Sequence, residues 1–421
     1  MAILHQVFED VPIDRESIHQ ELLDLDLRGR TNLFPWRGQF SPCLVEVLLS
    51  EYSSHTDRVF DPFVGAGTTL FESSRKQLAS CGTEINPAAV AMAETVGFIP
   101  LDLRERSLRI QATELLLDKT FGSDLPLFRR SEESIKSRLV GLINEAPSAS
   151  DRLLLTNSLF RALKSTADID LSSLYQTFRQ YAEIVRSLPF STKECRVFQK
   201  DARRTCLADA SVDLVITSPP YINVFNYHQN NRPAMELLGV DVLEVAKSEF
   251  GSNRKNRGNR FLTVVQYCLD LYAALTELRR VIKTSGRAIF VVGRESKVLG
   301  VPFQNGSLVA SIAEMAGFTL GLRQERKFMN MFGELIYEDI LHFISKPQPT
   351  IKRDARELAI QALKQGLDGN HSTAARGAMK DAIQLAQNVK QSPLFLREQT
   401  ICGTFHHVSS LDCEVEPIAC I

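Results

Sequence analysis

Thr217-Ser218-Pro219-Pro220-Tyr221 follows directly on the mostly apolar run Val212-Asp213-Leu214-Val215-Ile216. The pattern reads as a buried strand ending in a stiff, polar and aromatic loop. Such a loop suits chemistry on the exocyclic amino group of a nucleobase. The Ser218 hydroxyl can accept from an amino hydrogen. Pro219 and Pro220 fix φ and carry no N–H, so their carbonyls project without a competing donor beside them. Tyr221 offers a face on which a base can stack, worth roughly 1–3 kcal/mol per base. A strand followed by a Pro-terminated turn is also a common structural device, so a second motif must decide.

That motif is Arg58-Val59-Phe60-Asp61-Pro62-Phe63-Val64-Gly65-Ala66-Gly67-Thr68-Thr69, a short strand running into a Gly-rich turn. A helix pattern begins at Thr68. Gly65 and Gly67 permit positive φ and close approach of a ligand. A dinucleotide loop would place a third Gly where Leu70 stands, and no Gly-Lys-Ser/Thr is present, so neither a dinucleotide site nor a P-loop is indicated. A second strand, Ala79 to Thr83, ends at Glu84, where an acid in nucleoside-binding α/β folds accepts from ribose hydroxyls. A third, Cys195 to Phe198, leads to Asp201, whose carboxylate could accept an adenine amino group. As a solvated helix-start acid Glu84 would have no such part, nor would Asp201 as an exposed turn acid.

Together, Asp61 to Thr69 and Thr217 to Tyr221 resemble the S-adenosylmethionine-dependent DNA amino-methyltransferases, with the Ser-Pro-Pro-Tyr form usual for cytosine N4. The resemblance covers roughly residues 34–100 and 190–346. It implies a Rossmann-like α/β fold, a seven-stranded methyltransferase sheet with the last strand antiparallel. That strand is placed at Glu338 to Ile344, and the fifth at Ala288 to Gly293 after a structural turn in Leu278 to Gly286. Phe34 to Pro42, with Trp36, Gln39 and Ser41, resembles the segment closing over the cofactor; Trp36 would serve equally as a core anchor. The cofactor set thus comprises Trp36, Gln39, Ser41, Asp61, Pro62, Phe63, Gly65, Gly67, Thr68, Thr69, Glu84 and Asp201. The catalytic set is Ser218, Pro219, Pro220 and Tyr221.

The implied reaction moves a methyl group to cytosine N4 of a base flipped out of double-stranded DNA. Ser218 Oγ and the Pro219 carbonyl would draw the amino nitrogen toward sp³ geometry. The role suits DNA modification beside a separately acting restriction endonuclease. The loop order, cofactor loop before catalytic loop, is shared with adenine methyltransferases and some RNA guanine-N2 enzymes, so adenine N6 or an RNA amino group is the alternative. A non-catalytic S-adenosylmethionine or nucleic-acid binding protein is the second, and two intact motifs argue against it.

At 421 residues the chain suggests two to three domain-sized units. It divides into an N-terminal extension (1–33), a methyltransferase domain (34–100 and 190–346), a helical insertion suited to target recognition or packing (101–189), and a helical C-terminal extension (347–421). The net charge of −1 rules out a polycation, so DNA attraction must come from a local patch. Gly251 to Arg260 supplies one, with Arg254, Lys255, Arg257, Arg260 and no acid; a solvated loop is its plainer reading. Asn223, Tyr227 and His228, just after the catalytic loop, are read as polar neighbours of the substrate. Eight cysteines without a C-x-x-C pair fit a reducing cytoplasm and indicate no metal. No apolar run nears 18 residues, and no secretory signal is visible, so a cytoplasmic location without membrane contact is expected.

Overall fold

The computed structural model describes residues 3–24, 31–36, 38–39, 41–122, 134–163, 169–222, 226–251, 258–330, 333–345, 354–397 and 399. Two short helices, α1 (Ile3–Glu9) and α2 (Gln20–Leu23), precede α3 (Pro42–Tyr52). Then follow β1 (Arg58–Asp61), α4 (Thr68–Arg75), β2 (Ala79–Thr83) and α5 (Pro87–Ala93). Four helices come next: α6 (Leu103–Phe121), α7 (Ile135–Asn144), α8 (Ala149–Ala162) and α9 (Leu171–Arg186). After them stand β3 (Cys195–Phe198), β4 (Val212–Thr217), α10 (Arg232–Leu237), α11 (Val242–Ser248) and α12 (Leu262–Val281). The chain continues through β5 (Ile282–Gly293), a hairpin of β6 (Glu295–Val298) and β7 (Val301–Gln304), α13 (Asn305–Met315), β8 (Phe318–Met329) and β9 (Leu335–Ser345). It closes with α14 (Ala355–Leu367) and α15 (Thr373–Leu385).

The described residues form a seven-stranded sheet in the order β3-β2-β1-β4-β5-β9-β8. The first five strands run parallel, and β9 is antiparallel to both β5 and β8. This is the expected doubly wound sheet with its last strand reversed. Its central strands are apolar on both sides because both faces are covered. Phe60, Val215, Phe290 and Val292 pack under α12, α13, α14 and α15. Val59, Leu214, Ile216, Ile289 and Val291 point the other way, into a core with Leu44, Leu48 and Leu49 of α3.

One expected boundary is wrong. The turn placed before Ala288 lies inside β5, which begins at Ile282. Val212 pairs with Ile282 and Leu214 with Arg287, so the residues between bulge out of the ladder. Polar Lys283, Thr284 and Ser285 disguise the strand start, and Lys283 Nζ instead bonds Asp213 at 2.6 Å.

Helices α6 to α9 connect β2 to β3 and share a core with the cofactor half. Leu117, Leu153, Leu159, Phe178 and Tyr181 are continuous with Leu70 and Phe71 of α4 and with α5. Buried Arg106 fastens the junction, donating to the carbonyls of Phe98, Ile99, Val185, Leu188 and Pro189. Asp102 starts α6 with a capping box to Glu105. No described helix is long and apolar enough to cross a membrane.

Candidate active site

The carboxyl ends of β1, β2 and β4 meet at one cavity of about 270 Å³, the place where open α/β sheets bind ligands. Its wall unites residues from both sequence motifs. Trp36, Gln39, Pro62, Phe63, Gly65, Thr68 and Glu84 come from the cofactor half, Asp201 from the β3 end, and Ser218, Pro220 and Tyr221 from the catalytic loop. Tyr227 and Arg260 join them. Asn223, Arg254, Lys255 and Arg257 lie outside the described residues.

Gly65 and Gly67 have φ of +51° and +98°, a region open to glycine. The space their missing side chains leave is filled by protein. A Cβ at Gly65 would stand 3.3 Å from the Trp36 indole nitrogen, and one at Gly67 would meet Phe71 and Ala93 at 3.0–3.2 Å. Gly67 therefore works in packing, behind the cavity wall.

Asp61 is also corrected. It is 1% exposed and does not line the cavity. Its carboxylate accepts from Thr217 Oγ1 at 2.6 Å, Thr69 Oγ1 at 2.6 Å and the Phe63 N–H at 3.0 Å. It ties the end of β1 to the end of β4, and so holds the cofactor loop against the catalytic loop. Burial raises its carboxyl to about 6, with the two threonine hydroxyls working against the rise. Thr69 is spent on this tie. Ser41 sits at the start of α3, outside the cavity wall.

Glu84 stands where expected, with its head held by backbone. Oε1 accepts from the Ile85 and Asn86 N–H groups, both at 2.9 Å, and Oε2 from Gly65 at 3.1 Å. That leaves acceptor capacity on Oε2 at the cavity wall. Burial lifts its carboxyl to about 7, against the pull of these N–H groups; the neighbouring Glu249 adds to the rise.

Asp201 lines the cavity, yet its carboxylate is taken. Arg203 donates to it from its backbone N–H, Nε and an Nη, at 2.9, 2.9 and 2.6 Å, and the Phe395 N–H adds a bond of 3.0 Å. The adenine-amino role assigned to this side chain is not free to occur in this arrangement, because a buried guanidinium has claimed both oxygens.

In the catalytic loop, Ser218 Oγ lies 3.1 Å from the Tyr221 hydroxyl, which also donates a long bond of 3.5 Å to the Val291 carbonyl. The Tyr221 ring rests on Gly293, whose Cβ position would be 3.3 Å from it. Burial holds the Tyr221 phenol well above its ordinary value, so it stays neutral. Pro219 is buried, and Pro220 lines the cavity.

His228 is 3% exposed and outside the wall. Its ring Nδ1 lies 2.8 Å from Glu249 Oε2, and its N–H donates to Glu249 Oε1. It orients Glu249, a wall residue that sequence reading missed, as it missed Phe250. The Phe250 ring meets Phe63 edge-on at 5.4 Å. The paired aromatics were visible in the chain; nothing in their spacing announced that they would meet. Among the described residues, no group of three or more His, Cys, Asp or Glu side chains could hold a metal.

Residues 14–95 match the family model described as DNA methylase. The chain is similar to the type II methyltransferase M.BsoBI of Geobacillus stearothermophilus, 20% identical over 334 residues, or 64% of this chain and 66% of that one. It is also similar to the type II methyltransferase M.MjaII of Methanocaldococcus jannaschii, 37% identical over 62 residues, or 15% and 12% of the two chains. The chain thus spans just under two thirds of the first relative and about an eighth of the second. A solved S-adenosylmethionine-dependent methyltransferase of Methanosarcina mazei superposes with a TM-score of 0.33 at 11% identity, covering 72% of this chain and 98% of that one. That likeness is too slight to bear on the fold, which rests on the strand order. Residues 14–95 thus resemble the DNA methylases, and the chain is similar to type II methyltransferases.

Proposed function

We propose that this protein methylates the N4 amino group of cytosine in double-stranded DNA, in a DNA-modification role, a reading supported by the match to the DNA methylase family model and the similarity to two type II methyltransferases. The observation that carries the reading is the meeting of Glu84 and the Ser218–Tyr221 loop in one cavity. The wall fits S-adenosylmethionine: Glu84 offers an anchored carboxylate oxygen for ribose hydroxyls, and Phe63, Phe250 and Trp36 offer apolar surface. When bound, the cofactor would supply an electrophilic methyl group.

The chain's own residues prepare the base. A flipped cytosine costs a few kcal/mol to extrude, and stacking on Tyr221 offsets part of that. The Tyr221 hydroxyl donates to Val291, so its oxygen is open to the Ser218 proton. Ser218 then presents lone pairs to the cavity as an acceptor for an amino hydrogen. Accepting that hydrogen localises the nitrogen lone pair, which is otherwise delocalised into the ring. Positioning and fixed dipoles supply the rate enhancement. Once the nitrogen carries the methyl group it is acidic, and water can take its proton. Arg260 at the wall, with Arg254, Lys255 and Arg257 before it in sequence, is the proposed phosphate-contacting set.

An acceptor hydroxyl beside Pro-Pro and an aromatic also serves adenine N6, and the order of the two loops supports that second reading. Transfer of labelled methyl groups into duplex DNA by the purified protein tests the proposal. Label in cytosine that is lost with Ser218→Ala is expected. Label that enters RNA and not DNA would overturn the DNA reading.

A further inference from the structure

The segment after α15 takes no part in the chemistry above. Residues 389–397 form neither helix nor strand, yet Ser392 and Phe395 are 3% and 4% exposed. Polar atoms of both reach the back of the cavity wall. The Phe395 N–H bonds Asp201 at 3.0 Å, and Ser392 Oγ lies 3.0 Å from the Glu249 carbonyl, its one proton shared between that oxygen and Asp270. Ser392 also bonds Asp270 through its N–H and Oγ, at 2.8 and 2.7 Å, and Asp270 in turn accepts from the Gly251 N–H at 3.1 Å.

Arg203 sits at the centre of this arrangement, its side chain 1% exposed. It donates to Asp201, Asp270 and the Ser248 carbonyl, and to the carbonyls of Ser392 and Pro393 at 2.7 and 2.8 Å. Its guanidinium carbon lies 5.3 Å over the Phe250 ring. Asp201, Ser248, Glu249, Phe250 and Gly251 all line the cavity. Each is held by the segment directly, by Arg203, or by Asp270. A buried guanidinium is stable only while its donors are paired, so removing the segment would leave Arg203 without two of its acceptors.

We propose that residues 389–397 are a strap belonging to the cofactor site, with Arg203 as the positioning residue that couples the strap to Asp201. The proposal rests on the reading of the cavity as the S-adenosylmethionine site. The strap backs the wall formed by Asp201 and Ser248 to Gly251 and touches no reacting atom. Its loss therefore weakens cofactor binding and leaves turnover at saturating cofactor nearly unchanged.

Calorimetric titration with S-adenosylmethionine, paired with steady-state kinetics, tests this in four versions of the chain: full length, ended after Thr400, ended after Gln391, and Ser392→Ala. The version ended after Thr400 keeps the strap and should bind like full length. Ser392→Ala should bind about tenfold more weakly, with KM for the cofactor raised and kcat within about threefold. Ser392→Thr, which keeps the hydroxyl, should restore binding. Ending the chain after Gln391 should weaken binding further; if that version does not fold, the two point variants decide. Undiminished binding by Ser392→Ala, or a fall in kcat with KM unchanged, overturns the strap. A full-length chain that binds no S-adenosylmethionine overturns the reading of the cavity, and the strap with it.

Discussion

On the proposed reading of the cavity, Glu84 makes cofactor affinity a function of pH. Burial raises its carboxyl from an ordinary 4.5 to about 7, although three backbone N–H groups favour the ionised form. Only the carboxylate offers full acceptor strength to ribose hydroxyls, so binding favours the deprotonated state and releases a proton. Affinity therefore climbs as the pH rises to about 7 and levels off above it. About one molecule in ten is ionised at about pH 6, and about nine in ten at about pH 8, so Kd should fall roughly tenfold between them. Glu249 is the neighbouring carboxylate, and Glu249→Gln should move the midpoint down. Isothermal titration in buffers of different ionisation enthalpy reads both Kd and the released proton. Glu84→Gln should flatten the curve and bind weakly throughout. The same shift works against folding: stability from this group is full below 4.5 and is lost as the pH climbs through about 7. A Kd flat from about pH 6 to about pH 8, or an equal slope in Glu84→Gln, would refute the role of Glu84.

Asp61→Asn should lower unfolding free energy by about 2–3 kcal/mol, since charge-assisted bonds from Thr69 and Thr217 are weakened in a buried site; an unchanged denaturation midpoint would contradict the tie between β1 and β4. Tyr221→Ala should weaken binding of an extruded base by roughly 1–3 kcal/mol, whereas Tyr221→Phe should keep it and lower kcat, because only the hydroxyl that orients Ser218 is gone. Equal base binding by Tyr221→Ala and the unaltered protein would remove the stacking role. Neutralising Arg254, Lys255 and Arg257 together should flatten the dependence of log K on log salt by about one unit for each phosphate no longer neutralised, and an unchanged slope would move the DNA patch elsewhere.

The sheet was legible because its central strands must be apolar on both faces, and Val59-Phe60 and Leu214-Val215-Ile216 have no other good use. The start of β5 was not, because Lys283, Thr284 and Ser285 bulge toward solvent and side-chain partners. Most expected site residues reach the cavity, since strand ends carry them there. Among the described residues that do not, side-chain partners elsewhere in the fold set the direction. Asp61 and Thr69 stand in the loop motif but turn inward to join two strands. Asp201 ends β3 as read, and only folding shows that Arg203 and the distant Phe395 consume its oxygens. Glu249 and Ser392 carried no local signal, because their significance comes from partners far along the chain.

The central claim is the chemical identity of the product. Expression of the chain in cells lacking native DNA methylation, with Ser218→Ala beside it, allows the digested DNA to be weighed as nucleosides by mass spectrometry. The account predicts N4-methylcytosine that disappears in the variant. N6-methyladenine would contradict the base assignment while keeping the site, and unmodified DNA would contradict the proposed substrate.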